Sequence, residues 1–142
     1  MIDEHNTIKI IDFGFSITMP KDKKLSIFCG TPSYMATEIV KKQDYCGQPV
    51  DVWALGILLF TMLSGRFPFK GMTAHRVHLG RCVIYLGLYD KDLFQKIIEC
   101  KYKLPAHISA TGQALISEIL EPIPSKRPTA EQVKSNFKVG PF

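Results

Sequence analysis

Asp51-Val52-Trp53-Ala54-Leu55-Gly56-Ile57-Leu58-Leu59-Phe60 is the stretch on which the fold turns. Wound as a helix, it carries apolar side chains on every face, and a helix that is apolar all round is surrounded by protein. Pro49, just ahead, pre-sets the backbone of a first turn, and the Asp51 carboxylate suits the positive end of the helix dipole. Ser64-Gly65 ends the helix, because glycine tolerates the left-handed residue that closes many helices. The apolar run from Val52 to Leu63 falls short of the roughly 20 residues a bilayer-spanning helix needs. It therefore reads as a core helix, and the chain as making no membrane contact.

Downstream, further helices follow. Asp90 is placed to cap a helix whose Leu93, Phe94, Ile97 and Ile98 share one face. Ala114, Leu115, Ile116, Ile119 and Leu120 mark another, and Thr129-Ala130-Glu131-Gln132 has the spacing of a capping box. Upstream, Thr7-Ile8-Lys9-Ile10-Ile11 is β-branched and apolar and reads as a strand, with Met1-Ile2 as the stub of the one before it. Asp12-Phe13-Gly14 ends that strand, and residues 15–35 read as an extended surface loop, long enough to suspect function. The expected fold is mainly α: one short strand or hairpin stub, a long loop, then a helical bundle.

Composition narrows the function classes. The chain of 142 residues is 46% hydrophobic and 22% charged, which suits one folded unit. Its net charge is +5, but the lysines are scattered (Lys21, Lys23, Lys24, Lys41, Lys42, Lys101, Lys103) and form no basic run, so a solvated surface is expected rather than a nucleic-acid site. Cys29, Cys46, Cys82 and Cys100 form no C-x-x-C pair and no disulfide framework, which fits reduced thiols inside a cell, and the expected location is the cytoplasm. His75, His78 and Cys82 sketch three ligands of a zinc site whose fourth is missing. The N-terminus has no signal-peptide pattern.

The motifs, taken in order, are more specific than any of these. Asp12-Phe13-Gly14 alone is an ordinary turn after a strand. Cys29-Gly30-Thr31-Pro32-Ser33-Tyr34-Met35-Ala36-Thr37-Glu38 resembles the end of a protein-kinase activation segment. Asp51 to Gly56 resembles the opening of the central helix of the kinase C-terminal lobe, Gly65-Arg66-Phe67-Pro68-Phe69 the loop after it, and Ser125-Lys126-Arg127-Pro128-Thr129 the family's late arginine motif. The resemblance covers nearly the whole chain as one partial kinase domain, 1–142: an activation segment over about 12–38 and a helical lobe over about 39–137. The texture is similar to the calcium/calmodulin-dependent and AMP-activated kinase group, and Gly30-Thr31-Pro32 looks like a serine/threonine kinase.

The resemblance implies roles. Asp12, with Phe13 and Gly14 around it, corresponds to the carboxylate that holds Mg2+ against the phosphates of ATP, since a hard cation takes oxygen ligands. Thr31 corresponds to the hydroxyl at the acceptor site. Glu38 and Arg127 correspond to a buried ion pair, for which a planar bidentate guanidinium is suited. Asp51 corresponds to the acceptor of catalytic-loop backbone donors, and Trp53 and Gly56 to core positions. The partners implied are protein substrates.

Departures from the family pattern are as informative. No glycine-rich loop, V-A-I-K lysine or H-R-D catalytic loop occurs, and only eleven residues precede Asp12, where the family carries those parts. Residues 1–142 are therefore expected to be inactive alone, with the helix from Asp51 to Leu63 short of cover and in need of a partner for its apolar face. The alternative is a kinase-derived interaction module or pseudokinase remnant. Thr37 stands where relatives have proline, Ile27 where many carry the activating phosphothreonine, with Ser26 as a possible substitute, and Ile123 where an aspartate is common. Residues 72–89 form an atypical insertion without one acidic residue, expected to be dispensable to the fold.

Overall fold

The computed structural model describes residues 1–20, 23–71 and 91–136, together with the backbone of residues 78–79 and 82–83. Among the described residues the helices are α1 (Thr37–Val40), α2 (Gly47–Ser64), α3 (Lys91–Ile98), α4 (Ala110–Ile119) and α5 (Ala130–Asn136). Short 3-10 turns stand at Phe13–Phe15, Pro32–Tyr34 and Pro124–Lys126. Among the described residues, regular strand is confined to β1 (His78–Leu79) and β2 (Cys82–Val83), an antiparallel pair with His78 opposite Val83. The chain is mainly helical, as its sequence implies.

Helix α2 is the organising element, and it starts one turn earlier than the sequence suggests. Gly47, Gln48, Pro49 and Val50 form its first turn. First-turn amides have no intrahelical acceptor, so Pro49 loses nothing there, and Asp51 lies beyond the capping position. At 18 residues the helix is long and apolar enough to cross a membrane by that measure alone, a point the shorter Val52–Leu63 run hides. One side of it is core, with Val52, Trp53, Gly56, Ile57 and Phe60 buried against protein, while Leu55, Leu58, Met62 and Leu63 are exposed. Gly65 closes it at φ 69°, a left-handed residue whose amide bonds the Thr61 carbonyl.

Helix α2 packs along α4 and against the turns at Pro32–Tyr34 and Pro124–Lys126, while α1 packs on α3. The α2–α4 approach is close because position 56 has no side chain: a Cβ there would lie 2.5 Å from Ile119 Cγ2 and 2.9 Å from Leu120 Cδ2. One continuous core joins Trp53, Ile57, Phe60 and Phe69 to Ile97, Ile108, Ile116 and Leu120. Ser109 caps α4 by accepting from the Gly112 amide. Thr129 and Gln132 form the capping box reciprocally, at 2.8 and 3.2 Å.

The N-terminal stretch departs from expectation in part. The expected hairpin stub is present, with Ile2 bridging Ile8 and Met1 and Lys9 exchanging bonds around a turn held by the Asp3 carboxylate, which accepts from the His5 and Thr7 amides, but no strand continues through Ile10 and Ile11. Ile8, Ile10 and Ile11 are exposed. β-propensity expresses a fit to a pleated, half-buried surface, and a two-residue stub supplies neither a sheet nor a face to pack on. Several expectations fall outside the described residues: the Asp90 cap, the side chains of His75, His78 and Cys82, and most of the 72–89 insertion.

Candidate functional site

The stretch that leads into α1 is built on a buried knot. Glu38, in the first turn of α1, is met by Arg127 through two parallel bonds: Nη1 donates to Oε1 at 3.0 Å and Nη2 to Oε2 at 3.2 Å. Both side chains are buried. Arg127 spends its other donors on carbonyls, Nε on Glu121 at 3.1 Å and Nη1 also on Pro49, and its guanidinium lies 5.0 Å over the Trp53 ring. Arg127 thereby ties α1, the first turn of α2 and the turn before α5 together. A desolvated charge pair survives only when its remaining donors and acceptors are satisfied, and here they are.

Trp53, fully buried, stacks on Phe69 with ring centroids 5.9 Å apart and planes 3° from parallel. Its Nε1 has no acceptor among the described residues. Thr37 replaces the family's proline without leaving a hole: its hydroxyl donates to the Pro122 carbonyl at 2.7 Å and sits 3.1 Å from Glu38 Oε2. A sequence reading sees a lost ring there; the structure shows a polar tie across 85 residues of chain.

The loop before α1 is fastened at one further place. Leu25 and Tyr45 exchange both backbone bonds, at 2.8 and 2.9 Å. Ser26 Oγ donates to Asp44 at 2.6 Å, and the buried Tyr45 donates its hydroxyl to the Ile27 carbonyl at 2.9 Å. Burial, then the neighbouring Cys29 and Glu38, push the Tyr45 phenol above its usual range. Asp44 and Tyr45 were not legible as partners, since nothing in their own spacing points back to residues 25–27. Thr31 precedes the Pro32–Tyr34 turn with its side chain exposed and uninvolved in capping.

Asp12, Phe13 and Gly14 stand apart from the knot. Asp12 adopts φ 62°, ψ 74°, a left-handed conformation uncommon outside glycine, and accepts from the Gly14 amide at 3.3 Å. Phe13–Phe15 turn over it, and all of these residues are exposed. Among the described residues no group of three or more His, Cys, Asp or Glu side chains is placed to hold a metal. Mg2+ takes about six oxygens in octahedral array; the Asp12 carboxylate has the oxygen chemistry for the ion and would supply only part of that array.

Asp51 faces solvent on α2, yet the apolar atoms around it hold its carboxyl above the usual carboxylate range, and no described residue donates to it. On the same helix Leu55, Leu58, Met62 and Leu63 are exposed. Cys29, Cys46 and Cys100 are free thiols. Burial pushes Cys100 up to about 11, and its thiol donates to the Leu120 carbonyl, so it is a packing residue.

Comparison with known proteins agrees with this geometry. The family model described as "Protein kinase domain" matches residues 1–137. Over 133 residues the chain is 35% identical to "Probable serine/threonine-protein kinase MARK-A" of Dictyostelium discoideum, covering 94% of this chain and 11% of that protein. It is 34% identical over 133 residues to sperm motility kinases 3A and 3B of Mus musculus, covering 94% of this chain and 23% of each. The chain thus spans at most about a quarter of the length of these relatives. Intact members of the family use ATP and Mg2+ and act on protein substrates. With its motifs in order, its buried Glu38–Arg127 knot and a match over nearly its whole length, the chain belongs to the protein kinase family, as serine/threonine-kinase sequence.

Proposed function

We propose that residues 1–142 supply the activation segment and helical lobe of a serine/threonine kinase of the calcium/calmodulin-dependent and AMP-activated group, and that by themselves they transfer no phosphoryl group. The observation that carries this reading is the buried Glu38–Arg127–Trp53 arrangement, which holds the end of the activation segment on α2. In this reading Asp12 is a Mg2+ ligand, Thr31 lines the acceptor site, and Asp51 receives backbone donors from a catalytic loop that these residues do not include. The raised Asp51 carboxyl, desolvated and without a donor, supports that last role. The substrates are Ser/Thr side chains of proteins, and neither nucleic acid nor membrane is part of the activity. The free thiols favour a cytoplasmic setting. Ser26 is exposed and donates to Asp44, so a phosphate on it would replace a hydrogen bond with repulsion between anions.

A non-catalytic interaction module is the second reading, and the exposed apolar face of α2 favours it, since contiguous apolar surface marks interaction sites. One pair of assays separates the two. Residues 1–142 with Mg2+, labelled ATP and a generic Ser/Thr peptide should show no turnover above an Asp12→Ala control. Placing a relative's N-terminal lobe and catalytic loop ahead of Met1 should restore turnover, and Asp12→Ala should abolish it. Turnover by residues 1–142 alone defeats the proposed inactivity. A well-folded fusion without turnover favours the module.

A further inference from the structure

A groove of about 430 Å3 opens between the loop after α2 and the residues after α3. Its apolar wall is made by Phe67, Pro68 and Tyr102 over the buried Phe60. Arg66, Lys70, Lys101 and Lys103 stand around it, all exposed, and none makes an ion pair with a described residue. A fifth cation, Lys96, is already engaged: its ammonium donates to the Asp92 carboxylate and, at 2.8 Å, to the Lys70 carbonyl. That second bond braces the loop after α2 against α3, so the groove has a fixed edge. The sequence scatters these cations over three separate stretches, and only the packing of the loop at residues 66–70 against residues 101–103 gathers them.

We propose that this groove docks a short acidic peptide segment that carries an aromatic or large aliphatic side chain between its carboxylates. Charge complementarity selects the sign: Arg66, Lys70, Lys101 and Lys103 make no ion pair with a described residue, and the fifth lining cation, Lys96, already holds the Asp92 carboxylate. Size and lining select a peptide over a lone anion, because a phosphate reaches only part of the rim and gains nothing from the apolar wall. Nucleic acid is disfavoured by the rings themselves. Phe67 stands edge-on to Tyr34 at 5.4 Å, and Tyr102 packs edge-on to Phe60 and Phe69 at 5.8 and 5.6 Å. Rings committed to each other do not form the stacking platforms on which bases lie. The docking needs no phosphoryl transfer and stands whether or not the proposed function does.

Fluorescence polarisation with the full chain tests it. The probe is a short fluorescein-labelled peptide in which Asp and Glu flank a central Phe-Leu pair. Binding should weaken as salt rises and should be lost when Asn and Gln replace the carboxylates. A triple variant, Arg66→Glu, Lys101→Glu and Lys103→Glu, should bind about tenfold more weakly or worse, since charge reversal at a complementary surface sets like charges against each other. The milder Arg66→Gln, Lys101→Gln, Lys103→Gln set should give an intermediate loss and covers the case in which charge reversal disturbs folding. Lys23→Glu, Lys24→Glu and Lys134→Glu change the net charge equally at a distance and should leave binding within about twofold. Equal loss in both charge-reversed sets, equal binding of the neutral peptide, displacement by inorganic phosphate, or tighter binding of an oligouridylate would each overturn the proposal.

Discussion

The stretch from Leu25 to Val40 carries a long family motif and the stretch from Met1 to Phe15 a tripeptide that is weak by itself, and the two fare differently. In the first, Glu38, Thr37 and Ser26 each have a named partner elsewhere in the lobe, and Tyr45 reaches back to hold Ile27. In the second, Asp12 bonds only its own turn, and Phe15 and Ile10 are 84% and 83% exposed. A motif's residues become a site only where the partner elements that hold them are present. The later stretch finds its partners in Asp44 and Tyr45, in Pro122 and Arg127, and in α2 and α3, all within residues 1–142. The earlier one finds none among the described residues.

The contrast can be broken most sharply at the knot. Glu38→Ala strands the Arg127 guanidinium in the core, and removing one partner of a buried pair costs about 3–5 kcal/mol. Arg127→Met should cost a similar amount, and the double variant far less than the sum. Denaturant unfolding of the chain and its three variants measures this; additive losses would mean that the two side chains are energetically independent. Gly56→Val is next. The new side chain meets Ile119 and Leu120 closer than van der Waals contact, and overpacking a close helix crossing costs about 1–3 kcal/mol, read as a lowered unfolding midpoint.

Asp51 gives a smaller effect with a definite sign. Its folded-state carboxyl is raised from 3.8 by desolvation. The folded state therefore holds that proton more tightly than the unfolded chain, and the contribution of Asp51 becomes more favourable as pH falls through the raised value, levelling off below 3.8. Wild type minus Asp51→Asn, followed by thermal unfolding from about pH 7 to about pH 4, isolates this slope. A flat difference would show that Asp51 is not desolvated. Smallest of all, Ile10→Ser and Phe15→Ser should shift stability by no more than about 0.5 kcal/mol, the usual range for surface sites. If either exceeds about 1 kcal/mol, the N-terminal stretch packs against the lobe and the contrast between the two stretches fails.

Much of the lobe was legible. Trp53, Ile57 and Phe60 fall at the core positions that an all-apolar helix demands, Thr129 and Gln132 cap each other as their spacing requires, and Gly65 ends α2 as a left-handed glycine. The Glu38–Arg127 contact was reachable only through the resemblance, because 89 residues separate the partners and no local pattern links them. The start of α2 at Gly47 was missed because Pro49 looked like a boundary, whereas the first turn needs no amide donors. Thr7–Ile11 misled because β-branched residues announce a strand only when a sheet is there to receive them.

Sequence alone determined what is local or carried by ordered motifs: the cores of α2, α3 and α4, the Thr129–Gln132 capping box, the Gly65 stop, the family, and the absence from residues 1–142 of a glycine-rich loop and an H-R-D segment. Tertiary structure decided which charges are buried and paired, that Thr37 takes over a proline's place through Pro122, that Ser26 answers to Asp44, and that Arg66, Lys70, Lys101 and Lys103 share one groove. The physical reason is range. Helix periodicity, capping and turn chemistry act over a few residues and are written in spacing, whereas an ion pair, a stacked ring or a charged rim joins residues that only the folded chain brings within a few ångströms.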